Sequence, residues 1–175
     1  MERQPGEIHD EQVLARTVAD VMRTAAVTIA VDETVLVAWE LLQRSGSRHL
    51  PVVRPDGRCA GLLDRADVAV ACAAPAASLS GLRVDELLPG RRPALVHAEQ
   101  TVRHAADLMT YTETDALPVL DEDGCLAGVL TAADIVAALA DHPAQKGPAD
   151  IRPQAPPTVL PGPPPRRGYR GTAVP

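Results

Sequence analysis

The 175-residue chain has a formal net charge of −6, and 46% of its residues are hydrophobic although it contains no Phe, one Trp and two Tyr. This content suffices for an aliphatic core in one compact domain or two small intertwined ones. An acidic body with so few aromatic residues argues against nucleic acid as a partner. No apolar stretch reaches the length of about 18 residues that a membrane span requires. Because the N-terminal residues lead into no apolar signal core, we expect a cytoplasmic protein.

Each predicted unit opens with a short helical turn and a brief strand. A Thr with acidic neighbours then caps a helix whose apolar residues are spaced by three and four, which is one buried helical face. In the two units the turns are Val18–Met22 and Val84–Leu88, the strands are 27–31 and 94–97, and the capping residues are Thr34 and Thr101.

A hairpin and a final helix complete each unit. Asp-Gly lies between two apolar runs in both hairpins, at Asp56-Gly57 and Asp123-Gly124, where Gly accepts the positive φ of a tight turn. The last helices begin at Asp64 and Thr131. Each unit is therefore predicted to be β-α-β-β-α.

The chain contains an internal repeat. Residues 34–67 recur without a gap at residues 101–134, and 14 of the 34 aligned pairs are identical. The resulting organisation is an N-terminal segment (1–16), a first unit (17–72), a linker (73–81), a second unit (82–141) and a Pro-rich basic tail (142–175).

The tail has a composition of its own. Five basic residues stand against one acid in residues 142–175, a net +4 that leaves −10 for the rest of the chain. With ten Pro in residues 143–175, this tail is expected to be disordered, either as a polyproline ligand for an acidic groove or simply as a solvated segment.

The units resemble the CBS domain, and two in tandem resemble the CBS pair called a Bateman module. The resemblance covers residues 17–140. It rests on Val21-Met22, the Leu50-Pro51-Val52 strand after Arg48-His49, the Asp-Gly hairpins, and the motif Gly-x-x-(Thr/Ser)-x-x-Asp. It implies an α/β fold in which two units pack sheet to sheet around a pseudo-twofold axis and leave two clefts.

The resemblance also implies an adenine-containing ligand such as AMP, ADP, ATP or S-adenosylmethionine. The motif Asp would hold the ribose hydroxyls and the Thr or Ser would reach ribose or phosphate, while the base lies against the first strand and the Pro-containing region. Carried onto this chain, the ligand-binding residues are Thr131, Asp134, Gly128, Leu95, Val96, Leu117 and Pro118, with Thr28, Asp64 and Asp67 as first-unit counterparts.

The two units differ at this motif. Asp64 stands where the second unit has Thr131, and a carboxylate there caps a helix but repels a phosphate. The first cleft should therefore favour an uncharged nucleoside, a cation or nothing. Phosphate contacts would come from Arg48, His49 or Arg65. The alternative for Arg48 and His49 is a solvated Arg and a surface His.

No catalytic or metal set is evident in the sequence. His97 and His104 lack a partner at catalytic spacing, and Cys59, Cys72 and Cys125 are isolated, which is typical of small buried hydrophobes. Trp39 is either edge core or a contact for a second copy. We therefore expect a non-enzymatic regulatory protein without a cofactor, acting as a homodimer on a regulated protein, or else an interaction scaffold without a nucleotide ligand.

Overall fold

The computed structural model of the protein describes residues 5–24, 27–73, 81–88 and 93–141, with side chains from residue 9 onward. The interior of the predicted linker and the whole predicted tail, 142–175, lie outside these residues. The elements are α1 (Pro5–Ala15), a 3-10 turn (Val18–Asp20), β1 (Ile29–Ala30), α2 (Val35–Ser45), β2 (His49–Val53), β3 (Cys59–Asp64), α3 (Arg65–Cys72), a second 3-10 turn (Val84–Leu87), β4 (Val96–His97), α4 (Val102–Thr112), β5 (Ala116–Leu120), β6 (Leu126–Thr131) and α5 (Ala132–Leu139).

Two three-stranded sheets carry the fold, ordered β1-β2-β3 and β4-β5-β6. In each sheet the first strand is parallel to the middle strand, and the middle strand is antiparallel to the third. The hairpin glycines Gly57 and Gly124 have φ of 80° and 78°, as an Asp-Gly turn requires. The predicted α/β fold class of two β-α-β-β-α units is confirmed.

Helix starts follow the predicted cap chemistry. The Thr34 and Thr101 side chains accept hydrogen bonds from backbone N–H groups three residues later, and Asp64 accepts one from Ala66. Thr131 forms a capping box with Asp134. These caps satisfy N–H groups that the first turn of a helix leaves without partners.

The units face each other across a pseudo-twofold axis. Arg58 and Cys125 occupy equivalent positions, 67 residues apart, and pair with each other in an antiparallel bridge. Arg48 and Asp115 are also equivalent, and Arg48 Nη2 lies 3.2 Å from Asp115 Oδ2. Equivalent positions contact one another only near a twofold axis, so the axis passes between β2–β3 and β5–β6.

The opening segment of each unit packs on the other unit. Val18 N–H donates to Gln100 O at 2.8 Å, and the corresponding Val84 N–H donates to Glu33 O at 2.9 Å. Val18 lies in the core of the second unit, whereas Val84 lies in that of the first. Residues Val18–Met22 belong to the first unit in sequence order, but their buried side chains pack into the hydrophobic core of the second unit.

Each unit encloses an aliphatic core. The largest fully buried side chains are Leu42, Leu50, Leu63, Leu117, Leu130 and seven Val residues. Trp39 packs at the edge of the first core. None of the helices in the described part of the chain is long and apolar enough to cross a bilayer.

Candidate functional site

A cavity of about 1280 Å³ opens between the two units. Its apolar wall comes mainly from the second unit, including Ala94 before β4, Pro118 on β5, and Ala132 and Val136 on α5. Aliphatic and small side chains of this kind give a flat base a surface to lie on without an aromatic partner.

Four carboxylates line the same cavity. Asp64 and Asp67 come from the start of α3, and Glu113 and Asp115 come from the loop that joins α4 to β5. A phosphate entering among them would meet like charges, and two unit charges 4 Å apart repel by about 4 kcal/mol at an effective dielectric constant of 20. The polar end of this cavity therefore suits a neutral or cationic group.

Asp64 and Asp67 have different surroundings. The Ala66 N–H donates to Asp64 Oδ1 at 2.6 Å, which caps α3. Asp67, one turn further, is exposed, and none of the hydrogen bonds or ion pairs found among the described residues involves its carboxylate. Both of its oxygens can accept from vicinal hydroxyls, because an ionised carboxylate is an acceptor only.

The equivalent carboxylate in the second unit, Asp134, is closed off. It is 5% exposed, and its Oδ1 accepts from Arg23 Nε at 2.8 Å. Its Oδ2 accepts from the Thr131 hydroxyl at 2.6 Å and from the Thr131 N–H at 3.0 Å. Thr131 and Asp134 lie together in the capping box, but a ribose could reach Asp134 only by displacing Arg23.

Arg23 reaches Asp134 because the opening segment of the first unit, residues 18–23, packs on the second unit. Its backbone pairs with Val129 in an antiparallel bridge, with N···O distances of 3.0 and 3.2 Å. A Cβ added to Gly128 would lie 2.3 Å from the Arg23 carbonyl oxygen. The close approach that Gly128 permits is therefore made by this chain's own backbone.

His49, Arg48 and Asp115 form a polar group at the pseudo-twofold axis. His49 Nε2 lies 2.9 Å from Asp115 Oδ1 and 3.3 Å from Asp64 Oδ2, and the His49 side chain is only 10% exposed. The side chains of Arg48 and Asp115 are 70% and 49% exposed. These contacts link the two units across the axis.

The remaining predicted site residues differ in burial, and only some of them line the cavity. Thr28 is exposed and Leu95 is half-buried, whereas Val96 and Leu117 are fully buried in the second core. Arg65 donates to the Leu42 carbonyl at 2.9 Å. The predicted residues that line the cavity are His49, Asp64, Asp67 and Pro118.

Sequence reasoning missed Glu113 and Asp115, which line the cavity, and Arg23, which pairs with Asp134. A local signal existed for Glu113, which is equivalent to Gly46, the residue after α2. Gly46 has φ of 66°, and Glu113 has φ of 54° although it is not Gly. A bulky residue held in the left-handed region stores strain.

The cysteine thiols are free. The Cys59 thiol donates to the Gly61 carbonyl at 3.5 Å. Burial raises the pKa of this thiol above its ordinary value, which lowers its thiolate fraction at neutral pH. The Cys59 thiol is therefore weakly reactive.

The CBS domain family model matches residues 18–74 and 84–141. A CBS domain-containing protein of Dictyostelium discoideum is 31% identical over 127 residues, covering 68% of this chain and 88% of the relative. A homoserine O-acetyltransferase of Methanosarcina acetivorans is 30% identical over 120 residues, covering 69% of this chain. The match spans only 21% of that enzyme.

Solved structures agree with this match. CBSX2, solved in complex with AMP, is 28% identical with a TM-score of 0.61, covering 71% of this chain and 96% of the other. A CBS domain pair solved with 5′-methylthioadenosine and S-adenosyl-L-methionine is 23% identical with a TM-score of 0.62, covering 73% of this chain and 98% of the other.

Proposed function

Since this chain belongs to the CBS domain family and carries one copy of the domain in each unit, we propose that it is a non-enzymatic regulatory protein that senses an adenine-containing metabolite. The observation that carries the proposal is the free Asp67 carboxylate at a large cavity with an apolar wall. The base lies along Ala94, Pro118 and Ala132, and Asp67 accepts hydrogen bonds from the two ribose hydroxyls.

The charge of the cavity selects among adenine compounds. Asp64 stands one turn before Asp67, where a hydroxyl would otherwise face the 5′ substituent, and Glu113 and Asp115 line the same cavity. The proposed ligand is therefore an adenosine compound whose 5′ substituent is neutral or cationic, such as 5′-methylthioadenosine or S-adenosylmethionine. AMP, ADP and ATP bind more weakly because their phosphates meet these carboxylates.

The proposed relay is a change in the angle between the units. Asp67 belongs to the first unit, and the apolar wall belongs to the second, so one ligand contacts both. A ligand shifts such an equilibrium only through unequal affinity for its states. A ligand that needs both surfaces favours the arrangement in which they face each other.

The proposed partner of the pair is a second copy of this chain. Tyr111 on α4 and Val136 on α5 are 88% and 63% exposed at the cavity lining, and Val70 on α3 is 74% exposed. Exposed apolar side chains of this kind favour association between copies of the chain. Sedimentation velocity should give a dimer that Tyr111→Glu with Val136→Glu converts to a monomer, whereas a monomeric wild type contradicts this assignment.

Isothermal titration calorimetry tests the sensing role. The full chain is titrated with 5′-methylthioadenosine, S-adenosylmethionine, AMP and ATP in buffer containing a metal chelator. We expect the first two to bind more tightly than AMP, and ATP to bind most weakly. Binding of none of the four would remove the sensing role, and tightest binding of ATP would remove the charge argument.

A further inference from the structure

Three metal-ligating side chains meet where the two units face each other. His49 Nε2 lies 2.9 Å from Asp115 Oδ1 and 3.3 Å from Asp64 Oδ2, and one donor atom from each of the three residues lies within 4.8 Å of the others. We propose that His49, Asp64 and Asp115 bind one divalent first-row transition-metal ion, which joins the first unit to the second.

The spacing of the donor atoms fits such an ion. Zn²⁺ takes imidazole nitrogen and carboxylate oxygen at about 2.0–2.2 Å, so tetrahedral ligand atoms stand about 3.3 Å apart. The distance from His49 Nε2 to Asp64 Oδ2, 3.3 Å, matches this value. The distance to Asp115 Oδ1, 2.9 Å, is a hydrogen-bond length, so the Asp115 carboxylate would move outward slightly to admit the ion. Asp115 is half-exposed and precedes β5, so its side chain has room to close the remaining separation from Asp64.

The backbone holds two of the three ligands in place. His49 begins β2 and Asp64 ends β3, and these residues are directly paired in the strand register. Asp64 Oδ1 is engaged by the cap of α3, while Oδ2 faces His49. The His49 side chain is nine-tenths buried, so its Nε2 is held at the carboxylates rather than left in solvent.

Charge and donor chemistry favour a transition metal. Asp67 and Glu113 line the same cavity as the three ligands, and Arg48 is the cation paired with Asp115. A neutral imidazole does not offset this excess of carboxylates, but a divalent ion does. An imidazole donor suits Zn²⁺, Co²⁺ or Ni²⁺ more than Mg²⁺ or Ca²⁺, and water from the cavity completes the coordination.

The second unit cannot form a matching site. The positions equivalent to Arg48, His49 and Asp64 are Asp115, Ala116 and Thr131, so the pseudo-twofold operation brings an Arg, an Ala and a Thr together. Neither Arg nor Ala ligates a metal. The proposal therefore requires one metal ion per chain rather than two.

Titration with Zn²⁺ and Co²⁺ tests the proposal on the full chain after treatment with a chelator. We expect one ion per chain, visible absorption from bound Co²⁺, and a higher midpoint of thermal unfolding with Zn²⁺. His49→Gln and Asp115→Asn should each weaken binding by about tenfold or more. His104→Gln removes an exposed His on α4 and should leave binding unchanged.

Two outcomes would overturn the proposal: no stoichiometric binding to the wild type, or equal binding by the wild type and both ligand variants. Circular dichroism shows whether each variant is folded. Because Asp115 is half-exposed, Asp115→Asn decides the question if the buried His49→Gln does not fold.

The metal site and the adenosine site can fail separately. A bound divalent ion would offset the charge of Asp64 and Asp115, so the preference for 5′-methylthioadenosine over ATP is expected of the metal-free protein, which is why that titration contains a chelator. The metal titration contains no nucleotide, and Asp67→Asn should lose adenosine binding while it retains the metal. Metal binding without any adenosine binding would leave this inference standing and remove the proposed function. Adenosine binding without metal binding would leave the proposed function standing and remove the metal site.

Discussion

Loss of the Asp134 carboxylate should destabilise the fold, because this side chain joins Arg23, in the opening segment of the first unit, to α5. Removing one partner of a buried ion pair costs about 3–5 kcal/mol. The Arg23 side chain is 35% exposed, so water can solvate part of the released guanidinium and we expect about 2 kcal/mol from the pair. Loss of the capping box contributes about 1 kcal/mol more, giving about 3 kcal/mol for Asp134→Ala.

A double-mutant cycle in urea isolates the ion pair from the cap. Arg23→Ala should cost about 2 kcal/mol in the wild type and much less in the Asp134→Ala background, a coupling of about 1.5 kcal/mol. Asp67→Ala is the matched control, since Asp67 occupies the equivalent position without a partner, and should cost less than about 1 kcal/mol. A coupling energy below about 0.5 kcal/mol would refute the view that Arg23 holds the Asp134 carboxylate and so keeps a ligand from it.

Two further predictions concern the backbone. Gly128→Ala should destabilise the fold by about 3 kcal/mol or more, because its Cβ would lie 2.3 Å from the Arg23 carbonyl oxygen. Gly61→Ala should cost less, because its Cβ would meet the movable Leu88 Cδ2 at 2.8 Å. Equal urea midpoints for the two variants would contradict this difference. Glu113→Gly should stabilise by about 1 kcal/mol, because Glu113 has φ of 54° and Gly adopts this conformation freely; a lowered unfolding temperature would argue against stored strain.

The local parts of the fold could be predicted from the sequence. The capping residues Thr34 and Thr101, the hairpin glycines and the order of elements depend on neighbouring residues, so pattern and propensity were sufficient. Both first strands, β1 and β4, are two residues long, shorter than the apolar runs that predicted them. Helix α1 was not predicted within the N-terminal segment, where no amphipathic face marks it.

The contacts between units could not be predicted in the same way. The sequence of a turn such as Val18–Asp20 is the same whether the turn packs on its own unit or on the other one. Which unit it packs on depends on how the chain connects the two units. The roles of Arg23 and Asp115 depend on this arrangement. The difference between Asp64 and Thr131 was visible in sequence, but which carboxylate remains free depends on Arg23.

The most direct test of the central claim compares adenosine binding by two single variants. Calorimetry with 5′-methylthioadenosine on Asp67→Asn and Asp134→Asn, both checked for folding, asks which unit holds the ribose. We predict that Asp67→Asn weakens binding by about tenfold or more, as expected for a charged hydrogen-bond acceptor, and that Asp134→Asn binds like the wild type. Retained affinity in Asp67→Asn together with loss in Asp134→Asn would contradict a first-unit site.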